Sequence, residues 1–248
     1  ISIPVGRVEF KYIKPLTFQE FLLATDRDQL VDTVMNHSIS DPFPEPLHSQ
    51  LLEEFKIYSL IGGMPESVQT YSNTKNVNDC QTVLDTLVST YQSDFKKYAK
   101  DHQVKYLELV FTRAPFQQGA KFKFSNVSTD YKSRELKQAL NLLCQADLIT
   151  KVKHSDANGT PLGGESKDEK YKILMLDTGI SNRLQGLNLR EHILSEDFQL
   201  INNGQISEIV AGQELLGYNS FHQLRERFDW HREGASNAEV DYVVEQEG

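Results

Sequence analysis

The sequence predicts an α+β protein, mainly helical, with its regular strands gathered in the second half of the chain. Three observations predict it. Residues 77–100, "VNDCQTVLDTLVSTYQSDFKKYAK", carry apolar side chains at helical spacing for some six turns. Residues 133–149, "SRELKQALNLLCQADLI", place Leu136, Ala139, Leu140, Leu143 and Ala146 on one helical face. Four later runs, "TKVKH", "YKILMLD", "FDWHR" and "AEVDYVV", alternate as strands do.

In chain order, "ISIPVGRVEFKYI" opens as a short β-like run, and Pro15 then ends it. Thr17 with Glu20 three residues later is a capping box, so a helix starts there. A Pro-rich loop, "SDPFPEPLHSQ", leads into the helical run "LLEEFKIYSLI", which stops at Gly62-Gly63. Pro65 starts the next helix, "MPESVQTYS". "VKYLELVFTRAPFQQG" reads as a helix and turn, and "KFKFSNVSTD" as a connector. The two runs after residue 149 flank a polar, Gly-rich loop, "SDANGTPLGGESKDEK". Helices followed by a long-looped hairpin have the order of a winged helix. After a loop at "NNGQ" comes the helix "ISEIVAGQELLGY", then two strands joined through "EGASN", which has hairpin-turn composition.

A length of 248 residues allows one to three domains with a substantial core. No apolar stretch is long enough to cross a bilayer, so no membrane partner is expected. The net charge of -9 argues against broad affinity for nucleic acid, although a local basic patch remains compatible with it. Cys80 and Cys144 lack metal-ligand spacing and fall in helix-like segments, which predicts reduced thiols in a cytoplasmic protein. The opening on Ile1 and the ending on Gly248 lead us to expect a piece of something longer.

Four groups of residues are candidates for chemistry. Glu239 and Asp241 stand two apart on one strand, and Glu208 lies on the preceding helix. A helix acid with a strand acid is part of the Mg²⁺ site of restriction-type nucleases, whose carboxylates hold the metal. Glu208 and Asp241 are therefore candidate catalytic and metal-binding residues; the bland alternative is a solvated helix acid and a strand-edge charge. Gly62, Gly63 and Pro65 in "IGGMPES" either stop and start helices or let a nucleotide approach the backbone. Arg7 is a candidate arginine finger or a surface charge. Lys132, Arg134 and Lys137, with Lys121 and Lys123 ahead of them, could place phosphate contacts on duplex DNA. Glu135 and the acidic wing dilute that patch, and a solvated helix in a protein-packing domain is the alternative. No G-x-x-x-x-G-K-[ST] loop occurs, so this chain alone should neither hold ATP tightly nor hydrolyse it.

Taken together, "PVGRVEFKYIKPLTFQEFL", "IGGMPESV", "DFKKY", "RAPFQQGAKFKFSNVS", "ALNLLCQADLITKV", "LMLDTGI", "GQISEIVAGQEL" and "WHREGASNAEVDYVV" occur here in an order that resembles a prokaryotic family of AAA-type P-loop ATPases. Members of that family end in a domain of unknown function resembling the PD-(D/E)XK nuclease fold. The resemblance spans essentially the whole chain. It implies the last strand of an ATPase core over 1–16, a helical lid over 17–100, a winged helix over 101–182 and the start of a nuclease-like domain over 183–248. It further implies ATP and Mg²⁺ as cofactors of a longer protein whose ATPase core precedes Ile1; partners compatible with the sequence are that core, duplex DNA and a second copy in a homo-oligomer, whose state the sequence leaves open. On this reading, lid and winged helix couple nucleotide state to the terminal domain. The E-x-K strand of such nucleases would lie beyond Gly248. Two other functions stay open: a DNA-binding or Mg²⁺-dependent nucleic-acid-processing module, and a non-catalytic interaction scaffold.

Overall fold

The computed structural model describes residues 9, 11–38, 40–189, 191, 204–218, 227–231 and 238–245. Among them the fold is α+β and mainly helical, with one four-stranded sheet. The β-like run expected at the start lies, but for a few residues, outside this set, as does Arg7.

Helix α1 (Phe18–Ala24) begins at the expected box: the Thr17 hydroxyl accepts from the Glu20 N–H, and the Glu20 carboxylate accepts from the Thr17 N–H. It ends after about two turns, because Asp26 takes a left-handed conformation (φ 65°), and α2 (Asp28–Met35) follows as a separate helix. Helix α3 (Glu45–Ile61) stops at Gly62, whose φ of 72° suits a residue without Cβ. Helix α4 (Pro65–Thr74) starts on its proline, α5 (Val77–Tyr98) is capped by the Asn76 side chain, and α6 (Asp101–Arg113) follows at once. The connector to α7 (Ser133–Gln145) holds two 3₁₀ turns. Four of the five residues expected on the inner face of α7 are buried; Ala146 caps its end and is exposed.

Strands β1 (Ile149–Ser155) and β2 (Ser166–Met175) form the expected antiparallel hairpin. Helix α8 (Thr178–Leu184) follows directly, and α9 (Gln205–Gly217) precedes β3 (Arg227–His231) and β4 (Glu239–Val243). The sheet order is β2-β1-β3-β4. The central pairing, β1 with β3, is parallel and puts Val152 opposite Arg227 and His154 opposite Asp229. The sheet thus runs straight across the boundary expected at residue 182.

One core joins α1–α8 to the inner face of the hairpin, with Phe21, Ile61, Leu84, Phe111, Leu140 and Ile173 almost fully buried. It is continuous through residue 100, the second expected boundary. A smaller cluster, Val152, Leu174, Ile209 and Leu216 with Tyr242 beside it, glues α9 to the other face of the hairpin. No helix among the described residues is long and apolar enough to cross a membrane.

Candidate functional site

Strand β2 is buried on both faces from Tyr171 to Met175. Side chains alternate along a strand. Tyr171, Ile173 and Met175 enter the main core, while Leu174 joins the smaller cluster against α9. Lys172 shares the Leu174 side, and its side chain is only 8% exposed. A buried ammonium needs partners. Lys172 finds three carboxylates: Nζ donates to Glu208 Oε1 on α9 at 2.8 Å, lies 2.5 Å from Glu239 Oε1, and donates to Asp241 Oδ1 on β4 at 3.1 Å. The sequence places Glu239 and Asp241 on one side of their strand; the fold brings Glu208 to them and adds a lysine from the hairpin. The Tyr242 hydroxyl donates to the Glu208 carbonyl at 2.9 Å, which fixes β4 against α9.

The charges in this cluster are unequal. Burial disfavours the Lys172 ammonium, but hydrogen bonds to Glu208 and Glu239, and then to Asp241, outweigh it and raise the pKa. Glu208 is shifted upward by burial, and the negative charges of Asp241 and Glu239 add to this against the pull of Lys172. One cation among three anions is held firmly, while each anion still faces its neighbours. Hard carboxylate oxygens are what Mg²⁺ takes as ligands. Yet no three His, Cys, Asp or Glu side chains among the described residues are grouped to hold a metal ion. The ammonium stands where the carboxylates converge.

Residues 52–191 match a family described as "Domain of unknown function (DUF8612)". The chain belongs to the DUF8612 family. No curated protein and no solved structure matches it. The DUF8612 match runs from within α3 past α8, so it contains Lys172 and the Gly62-Gly63 turn but not Glu208 or Asp241.

Within the DUF8612 region, the Gly-Gly turn is a buried junction. The Asp177 carboxylate caps α8 by accepting from the Ile180 N–H at 3.0 Å, and it accepts from the Gly63 N–H at 2.7 Å. The Gly63 carbonyl accepts from the Leu16 N–H at 2.7 Å. A Cβ on Gly62 would lie 2.2 Å from Asp177 Oδ1, and one on Gly63 would lie 2.0 Å from the Leu16 carbonyl oxygen. Close approach of protein atoms therefore accounts for both glycines, while Pro65 is exposed in the first turn of α4. Farther along, Glu214 on α9 accepts from the Phe18 N–H at 2.8 Å and from the Tyr58 hydroxyl at 3.2 Å, tying α9 to α1 and α3.

Beside Lys172 lies a cleft of about 450 Å³, lined among others by His154, Asp156, Lys167, Asp229 and Glu239. His154 Nδ1 is 3.8 Å from Asp229 Oδ2 and Nε2 is 3.4 Å from Asp156 Oδ1. Asp229 is buried, which pushes its pKa up against the pull of His154 and Lys172. Its Oδ1 has no hydrogen-bond partner among the described residues. Lys132, Arg134 and Lys137 are exposed on or beside the outer face of α7, and Lys121 reaches the cleft rim instead. Lys172, Asp177, Glu214 and Asp229 are the residues that pattern reading passed over. Lys172 and Asp177 had a signal: each interrupts or ends the apolar run "YKILMLD", where a charge must find a partner.

Proposed function

We propose that this chain is the coupling portion of a longer AAA-type ATPase, transmitting nucleotide state from an upstream core through a helical lid and winged helix to a nuclease-like terminal domain. The observation that carries the reading is the unbroken sheet: the hairpin of the DUF8612 region and the terminal strands share the β1–β3 pairing. Two further links support it. Asp177 ties the Gly62–Pro65 turn to the end of β2, and Glu214 ties α9 back to α1 and α3. Movement at the turn would then reach α9 through packed, hydrogen-bonded elements.

The test needs the longer gene product. That product should bind ATP, while titration of ATP into residues 1–248 should give no heat. Exchanging ADP for a non-hydrolysable ATP analogue should alter amide exchange in α9, and Glu214→Gln should diminish that response. Tight ATP binding by residues 1–248 alone, or α9 exchange indifferent to nucleotide, overturns the reading.

A second reading is favoured by the meeting of Glu208 and Asp241, the two acids expected of a Mg²⁺-dependent phosphodiesterase. These two would hold the metal, which when bound polarises phosphate and activates water. The chain's own contribution is to hold the pair at fixed spacing on α9 and β4. The longer product should nick DNA with Mg²⁺, and Asp241→Ala should abolish nicking without changing the melting temperature by more than a few degrees. Retained nicking in that variant removes Asp241 from the chemistry. The basic face of α7 becomes a DNA contact only if binding weakens steeply with salt.

A further inference from the structure

We propose that His154 is an acid-closed latch: its protonated ring pins strand β3 to the hairpin, and loss of the proton near neutral pH loosens the terminal strands. The latch stands on its own geometry and holds whether or not an ATPase core lies upstream.

His154 and Asp229 face each other at one end of the parallel β1–β3 ladder, which pairs residues 152–154 with 227–229. Their side chains are only 10% and 7% exposed. His154 Nδ1 is 3.8 Å from Asp229 Oδ2, and Nε2 is 3.4 Å from Asp156 Oδ1. A protonated ring thus stands between two carboxylates, one just past the end of β1 and one on β3. The regular ladder breaks on both sides at this level. One break lies between Lys153 and His154 in the β1–β2 pairing, the other between Phe228 and Trp230 in the β3–β4 pairing. Such irregularities re-aim side chains and interrupt backbone pairing. The side-chain contact therefore sits where each strand's outer ladder gives least support.

A buried carboxylate needs a cation or a proton. Burial pushes the Asp229 pKa up, against the pull of His154 and Lys172. Asp229 Oδ1 has no hydrogen-bond partner among the described residues, so the charges beside it carry much of the compensation. With the ring neutral, the anion keeps Lys172, which already serves Glu208, Glu239 and Asp241. Because the Asp229 pKa is raised on folding, its contribution is complete below the ordinary value of about 3.9 and is lost as pH rises. An isolated imidazole gives up its proton near pH 6.5, which removes the attraction as well. Both steps act in one direction: β3 is held more firmly at mildly acid pH than at alkaline pH.

The other groups facing the ring do not supply this dependence. The Lys167 hydrogen bond holds the Asp156 carboxyl below its ordinary range. Burial disfavours the Lys172 ammonium, but its carboxylate partners outweigh this and raise its pKa. Burial pushes the Tyr171 and Tyr242 phenols up. Arg227, buried on β3, donates to the Leu215 carbonyl, and a guanidinium stays charged. Lys121, Lys167, Lys170 and Glu239 complete the charges on the cleft, and side chains of these types ordinarily titrate well away from neutral pH.

The test is amide exchange of residues 1–248 at about pH 5.5 and about pH 8.5, on either side of the ordinary imidazole value. Exchange is read by mass spectrometry and corrected for its intrinsic pH dependence. Peptides covering β3 are expected to lose about fivefold or more in protection at the higher pH relative to peptides from α5, since one pKa unit is worth a factor of ten. His154→Gln keeps a polar amide but carries no charge, so its β3 protection should be low and the same at both pH values. Asp229→Asn leaves no charge to bury; it should also be flat, and better protected than wild type at the higher pH. Asp177 titrates in the same range but sits at the α8 junction and is intact in both variants, so a difference from wild type belongs to the latch. Wild-type β3 protection that is constant or rises with pH overturns the proposal. A wild-type loss that persists in Asp229→Asn overturns it too, because another group then sets the dependence. That comparison decides the matter even if His154→Gln fails to fold.

Discussion

Gly63→Ala is expected to lower the unfolding free energy by about 2–4 kcal/mol, an effect far beyond that of an ordinary surface change. The new methyl group would stand 2.0 Å from the carbonyl oxygen of Leu16 and 2.9 Å from its nitrogen. These are backbone atoms, so no rotamer change relieves the clash. Either the 14–17 segment lifts away or the turn before α4 rebuilds. Both responses break the Leu16–Gly63 hydrogen bond, and lifting the segment also disturbs the bond from the Tyr58 hydroxyl to the Leu16 carbonyl. Overpacking and a lost buried hydrogen bond together set the magnitude. For a chain of this size the melting temperature should fall by roughly 4–16 °C. Gly159→Ala is the control: nothing lies within 4 Å of its Cβ position, and its effect should stay within about 0.5 kcal/mol. If Gly63→Ala melts with wild type, the Leu16 segment does not lie on the turn.

What the sequence could and could not reveal follows the range of the interactions. The start of α1 was legible because its capping box closes within four residues. Helix α7 and the β1–β2 hairpin were legible because their apolar periods differ and a Gly-rich loop marks the turn. The break between α1 and α2 was not, since the left-handed residue there is an aspartate rather than a glycine. The parallel pairing of β1 with β3 joins residues 75 positions apart, such as Val152 and Arg227, and no local pattern specifies which strand a terminal run will join. For the same reason Glu208 and Asp241 could be named as a pair while Lys172, 36 residues before the first and 69 before the second, could not. A charge inside an apolar strand announces that a partner exists. Only the fold says which partner it is.

Asp177→Ala carries the other large expectation, and its sign with pH is the informative part. Burial pushes the Asp177 carboxyl up to about 6, against the N–H groups of Ile180, Gly63, Gly179 and Met64 that favour the charged form. An unfolded aspartate titrates near 3.9. Between these values the folded protein holds a proton that the unfolded chain has released. The stability this group contributes is therefore complete below about pH 4 and is lost as pH rises through about 6. Near the acid end the variant forfeits a helix cap and leaves the buried Gly63 N–H without an acceptor, a cost of about 2–4 kcal/mol. Towards neutral pH the wild-type carboxylate must be buried charged, which removes up to about 3 kcal/mol of that advantage. Denaturant unfolding of wild type and Asp177→Ala across this range should thus show a penalty that shrinks as pH rises. A penalty that grows instead would mean that the backbone N–H groups outweigh burial and that Asp177 is ionised throughout. The junction between the Gly62–Pro65 turn and α8 would then be held by charge, and its grip on the turn would strengthen rather than slacken towards neutral pH.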